Sequence, residues 1–238
     1  MTQHKIKEVH MSSRNTWWAK TLRILGIVLM SLTAAFTLMG GAGTSCVALN
    51  PTGFGDSFAP LARVQWLYIL FVLVTLAIGV MGVRAVVLLV QGKKNAYRYS
   101  LIAMILGLVV GGIHMAVSRA LRGSSMPVDA VVYTTVLTLV VFLLFRIPGV
   151  WQGVDFEKPA GDKKTGKNAA AIALGAVGVL SLTIQFLMAP THTIEGVNYA
   201  DVWHVALTLI GGGLLIAGAL SLFWPRFIAA RREALADG

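Results

Sequence analysis

A single cysteine, Cys46, stands among the 238 residues. That excludes an internal disulfide, a CxxC redox pair and a thiolate zinc cluster. Charge is scarce as well: Asp, Glu, Lys and Arg make up 13% of the chain, against about 25% in a soluble domain. No Asn-X-Ser/Thr acceptor occurs, because Asn50 is followed by Pro51. Neither HExxH nor GxSxG is present, which removes the zincin and nucleophile-elbow signatures. No Asp or Glu lies in the interior of an apolar run, Asp129 standing only at the start of one, so an obvious carboxylate relay of the kind proton-coupled pumps use is missing. The run GKKNAYR, Gly92 to Arg98, lacks the P-loop pattern and reads as a short basic loop.

What remains is overwhelmingly apolar. Hydrophobic residues make up 56% of the chain, and the mean hydropathy is +0.75. Six apolar runs fall at about 21–40, 65–91, 99–118, 128–146, 169–189 and 202–224. At about 1.5 Å per residue each can cross a hydrocarbon core of roughly 30 Å. Backbone in lipid must satisfy its own hydrogen bonds, and the alternation of a barrel strand is absent. The expected fold is therefore all-α: a polytopic membrane protein with six transmembrane helices.

Charge sets the expected orientation. With the N-terminus inside, only Arg63, Arg119 and Arg122 of the 20 Lys and Arg fall outside, and they share that side with Asp56, Asp129, Glu195 and Asp201. Both termini then lie inside, with tails at 1–20 and 225–238. Residues 147–168, rich in Pro, Gly and Lys, form an inner linker between two three-helix halves. Trp17, Trp18, Trp66, Tyr68, Tyr97, Tyr99, Trp203 and Trp224 flank the runs as an interfacial belt would. The net charge of +10 is thus a topology signal and an attraction to anionic lipid. Nucleic acid is not an expected partner, because no basic patch is interleaved with stacking aromatics. The bilayer is the expected partner, alongside other membrane subunits or a second copy. The expected location is a prokaryotic-type cytoplasmic (inner) membrane.

Two features near the N-terminus carry little. Met11 offers a second start, so His4 and His10 support no argument. The run MGGAGTSC ends at Cys46 after an apolar stretch, as lipoprotein signals do, but Gly43 replaces their usual aliphatic residue. Cys46 is expected to be an ordinary thiol beyond an intact first helix.

Chemistry-bearing residues gather on the expected outer side. His114, Ser118 and Arg122 recur at i, i+4 and i+8 near the end of the third run, with Arg119 beside them and Asp129 opening the fourth. The stretch PTHTIEGVNYADVWH, Pro190 to His204, adds His192, Glu195, Asp201 and His204. Three readings follow. His192, Glu195, Asp201 and His204 offer imidazole and carboxylate to a divalent metal. His114 and His204 could instead be axial ligands of haem b, with Gly107, Gly111 and Gly211 leaving room for the porphyrin. In the third, these residues are structural: Asp201 and Asp129 as N-caps, Arg119 and Arg122 at a helix C-terminus, and Gly107-xxx-Gly111 and Gly213-xxx-Ala217 as packing faces. His114 fits the structural reading least well, since an ionisable group inside a span points to function.

Loop 1, the Gly-rich and apolar stretch from Gly40 to Pro60, either caps a cavity at the outer ends or packs on lipid headgroups. The expected function is a non-enzymatic membrane subunit or small-solute permease with an outer-face polar pocket. The rival is a haem- or metal-binding redox protein using His114 and His204. A lipid-directed enzyme would need His114 or His192 as its base.

Overall fold

The structure, a computed structural model, describes residues 16–157, 163–194 and 196–236. Apart from one short strand pair its regular structure is helical. Helix α1 spans Trp17–Leu49. Two 3-10 turns, Pro51–Phe54 and Ala59–Val64, lead into α2, Gln65–Gln91. Then come α3 (Ala96–Arg122), α4 (Val128–Leu144), α5 (Pro148–Val154) and α6 (Lys163–His192). Strands β1 (Thr193–Ile194) and β2 (Val197–Asn198) pair antiparallel, with Thr193 opposite Asn198. A 3-10 turn, Tyr199–Trp203, opens α7, His204–Ala236.

Among the described residues, five helical stretches are long and apolar enough to cross a membrane. A sixth arises if α4 and α5, bent by 100° at their break, form one span. Alone, the 17 residues of α4 rise about 26 Å, at the short end of spanning length. Helix α1 is central, with α2, α4, α5 and α6 packed on it; α3 packs on α2 and α4, and α7 mainly on α6. Many outward side chains are large and apolar, among them Leu73, Val80, Leu209 and Ile216, each at least 60% exposed. A helix apolar on its outer face is one that suits lipid.

The first and the last helix run well past their expected ends. The first continues through Gly40, Gly41 and Gly43 to Leu49 instead of stopping near residue 40. Its hydroxyls bond back along the helix, Thr44 Oγ1 to the Gly40 carbonyl at 2.7 Å. A glycine costs a helix about 1 kcal/mol against alanine, and close contact with α2 offsets this. A Cβ on Gly41 would lie 3.0 Å from Leu76 Cδ2, and one on Gly82 would lie 2.9 Å from Ala34 Cβ. Such small residues let membrane helices approach. The last helix runs on past Pro225 to Ala236. A proline forfeits one backbone bond, a loss that long apolar helices tolerate.

The expected linker is partly core. Residues 148–154 form α5, and α6 begins at Lys163. Val154 and Phe156 are fully buried. Phe156 stacks on Phe142, ring centroids 5.7 Å apart. Buried Arg23 of α1 donates to the carbonyls of Asp155 (3.1 Å) and Val154 (3.5 Å). The Tyr97 hydroxyl donates to the Phe142 carbonyl at 2.7 Å, and the Arg146 guanidinium lies 4.6 Å from the Trp151 ring. Together with Ile27, Met30 and Leu89 these residues form the larger core, at the α5 end of the bundle. A smaller core of Ala48, Leu61, Tyr68 and Val72 closes the opposite, loop 1 end.

The helix starts also differ from expectation. Pro127 occupies the N-cap of α4, and Asp129 sits in the first turn. There its carboxylate accepts from Arg119 and Ser125. Asp201 lies within the 3-10 turn before α7; the cap of that turn is Asn198, whose side chain accepts from the Ala200 amide at 3.0 Å.

Candidate functional site

The loop 1 end holds the candidate site, and α3 supplies its polar stripe. His114 is 5% exposed, and its ring stacks on Phe71 of α2, with centroids 4.4 Å apart and planes 14° apart. Tyr68 meets it edge-on at 5.2 Å. The ring makes no hydrogen bond among the described residues. One turn on, buried Ser118 shares a 2.7 Å hydrogen bond with the Tyr68 hydroxyl. A further turn on, the Arg122 guanidinium lies 3.8 Å from the Phe58 ring centroid, and its Nε donates to the Ser57 carbonyl at 3.3 Å. It has no carboxylate partner among the described residues.

These three residues line a cavity of about 340 Å³, within the roughly 300–1,000 Å³ typical of small-molecule sites. Its walls come from α1 between Phe36 and Val47, α4 between Val128 and Val131, and α6 between Ile184 and His192. Trp203, Ala206, Leu207 and Ile210 close the side formed by the start of α7. Phe54 and Phe58 of loop 1 belong to the lining, and Phe54 meets Tyr199 edge-on at 5.1 Å. Loop 1 thus folds over the cavity. Most of the lining is apolar; Cys46, Gln185 and Ser125 add polar atoms. His114 also borders a second space of about 20 Å³ beside Thr37, Thr44 and Thr75, enough for about one water.

The predicted outer cluster therefore divides. His114, Ser118 and Arg122 face the cavity. Arg119 turns aside and joins the ends of α3 and α4: its Nη2 lies 3.1 Å from Asp129 Oδ2, and its Nε donates to Ser125 Oγ at 2.8 Å. Tyr133 accepts a longer bond from the same guanidinium, at 3.4 Å.

The predicted metal and haem residues separate too. His192 lines the cavity, its Nδ1 3.1 Å from the Met188 carbonyl. Asp201 is exposed and accepts from Asn198 Nδ2 at 3.2 Å. His204 is exposed, with its Nδ1 2.8 Å from Oε1 of buried Gln185. Glu195 lies outside the described residues. Among the described residues no three His, Cys, Asp or Glu side chains come together to hold a metal. Neighbouring helices fill the space set aside for a porphyrin. A Cβ on Gly111 would lie 2.9 Å from Val132 Cγ2, and one on Gly211 would lie 2.7 Å from Leu182 Cγ.

Sequence reasoning missed that Phe71 and Phe58 are ring partners of His114 and Arg122. It also missed the bond between Gln185 and His204. The signals for these are weak: Gln185 is a lone polar residue inside an apolar run, and Tyr68 sits where an interfacial anchor would. Compared with protein-family models, with curated proteins and with solved structures, the chain matches none.

Proposed function

We propose that this chain is an integral membrane protein of six spans with both termini on the cytoplasmic side. It works without covalent chemistry, as a small-solute permease or a solute-binding membrane subunit, through the cavity at its loop 1 end. One observation carries the reading. His114, a hydrogen-bonding ring placed in an otherwise apolar run, is 5% exposed, has no bonding partner among the described residues and borders the cavity. Its ring nitrogens are not sealed in the core but open to the space the ring borders, and a polar atom that reaches a cavity can bond what enters it. A solute oxygen or nitrogen would supply the missing partner.

Cys46, the lone thiol in the lining, makes the reading testable. Intact cells are treated with N-ethylmaleimide, and alkylation of Cys46 is timed in the wild type and in Ala130→Trp, which fills the cavity from α4. The expected result is slower alkylation in the variant, with a detergent-denatured control reacting at equal rates. Equal rates in the folded proteins would sink the idea of an accessible cavity.

A further inference from the structure

The cavity has an apolar body and one cationic wall, and we propose that it holds an anionic amphiphile whose carboxylate or phosphate pairs with Arg122. This deepens the reading of the cavity as a binding site and rests on it.

The argument starts from what Arg122 lacks. A guanidinium carries five N–H donors in a planar fork suited to carboxylate and phosphate. Here Nε donates to the Ser57 carbonyl and the Phe58 ring covers one face. The terminal nitrogens make no hydrogen bond among the described residues. Of the carboxylates at this end among the described residues, Asp129 is engaged by Arg119 and Ser125 and Asp201 by Asn198, while Asp56, next to Ser57 in the chain, forms no ion pair with Arg122. A partly buried cation in a low-dielectric setting gains most from a bound anion. Phe58 and Ser57 hold the side chain in place, so little ordering remains to be done on binding.

The rest of the cavity selects against a small inorganic anion. Beyond Arg122, α3 descends about 12 Å over eight residues to His114. The surfaces met on the way, such as Leu38, Val47, Met188 and Leu207, are apolar. A free phosphate would leave that surface uncovered, whereas a chain carrying the anion would cover it. The anion could belong to a bilayer lipid or to a diffusible acid, and the test distinguishes them.

The full-length protein is placed in phosphatidylcholine nanodiscs with a twelve-carbon carboxylic acid bearing a diazirine at its chain end, irradiated, and the labelled peptides are mapped. Label is expected on residues 36–47 of α1 and 184–192 of α6. Excess dodecanoate should displace it and dodecanol should not. Arg122→Gln should cut labelling about tenfold, as loss of a charge-assisted bond implies. Arg122→Lys should keep part of it, and Arg63→Gln, an exposed arginine at the same end, should leave it intact. Competition by added phosphatidylglycerol identifies a bilayer lipid as the source of the anion; its absence, with dodecanoate still competing, identifies a diffusible acid. Equal displacement by dodecanol, or equal labelling of Arg122→Gln and Arg63→Gln, overturns the proposal and leaves the cavity as a site for neutral solutes. Absence of label from every cavity peptide, together with unchanged Cys46 alkylation in Ala130→Trp, overturns the binding-site reading itself.

Discussion

Tyr68 and Ser118 are joined by the hydrogen bond that fixes α2 against the polar stripe of α3. Tyr68 also presents its edge to His114, so one residue sets both the helix register and a cavity wall. Across membrane helices such bonds are worth about 0.6 kcal/mol on average and rarely more than about 1.7. A double-mutant cycle of Tyr68→Phe and Ser118→Ala, measured by unfolding in mixed micelles, should return a coupling of that size. A coupling indistinguishable from zero would mean that the hydroxyls are satisfied elsewhere in the folded protein. Sequence singled out His114 at this scale because an ionisable side chain interrupts an apolar run. It could not show the stacking on Phe71, which depends on how α2 slides and rotates against α3. Nor could it tell Arg119 from Arg122. They stand three residues apart, but one turns to Asp129 and the other to Phe58, because the loop between α3 and α4 brings Ser125 and Asp129 back under Arg119 alone.

Glycines divide the helices into close and loose faces. Helices α6 and α7 touch backbone to backbone where Gly178 meets Gly211: a Cβ on either would lie 2.9 Å from the other's carbonyl oxygen. Backbone cannot swing aside as a side chain can, so Gly211→Ala should destabilise the pair by about 1–3 kcal/mol. Gly213 lies two residues away with nothing within 4 Å of its would-be Cβ. Gly213→Ala should therefore be neutral or stabilising by up to about 1 kcal/mol through helix propensity. Thermal unfolding of both variants checks the contrast, and equal effects would show that α7 does not sit on α6 in this way. Gly213-xxx-Ala217 looked like the packing face in the sequence, yet the contact uses Gly178, Gly211 and Gly218. Spacing shows where helices can approach; which of several small faces is used depends on the partner's surface. The apolar runs themselves were readable, because hydropathy over some twenty residues overwhelms local detail. Their ends were less so. Gly41 and Pro225 look like stops, but the helices pass through them, and α5 was hidden in a stretch whose composition reads as linker.

The molecule as a whole is a central helix with others arranged about it and one end opened into a cavity. If the proposed six spans and orientation hold, loop 1 and the turn between α2 and α3 lie on opposite sides of the membrane. In a Cys46→Ser background, Ser57→Cys should react with a membrane-impermeant maleimide in intact cells, and Lys94→Cys only after permeabilisation. The reverse pattern would invert the orientation, and reaction of both in intact cells would mean that α2, the one helix between them, does not cross the membrane. At this scale the sequence revealed the helical class and the end where polar groups collect. It could not reveal the order of helices around α1, since loop lengths do not encode which neighbours touch.

The contact between Arg23 and the end of α5 has a consequence for biosynthesis. Its two acceptors lie 131 and 132 residues further along the chain. At about 5–20 residues per second, roughly 7–26 s pass between the synthesis of Arg23 and that of the carbonyls it will hold. During that interval α1 is already apolar enough to enter the bilayer, and its arginine must rest among headgroups or water. The central helix thus cannot take up its final set of contacts until most of the chain has left the ribosome.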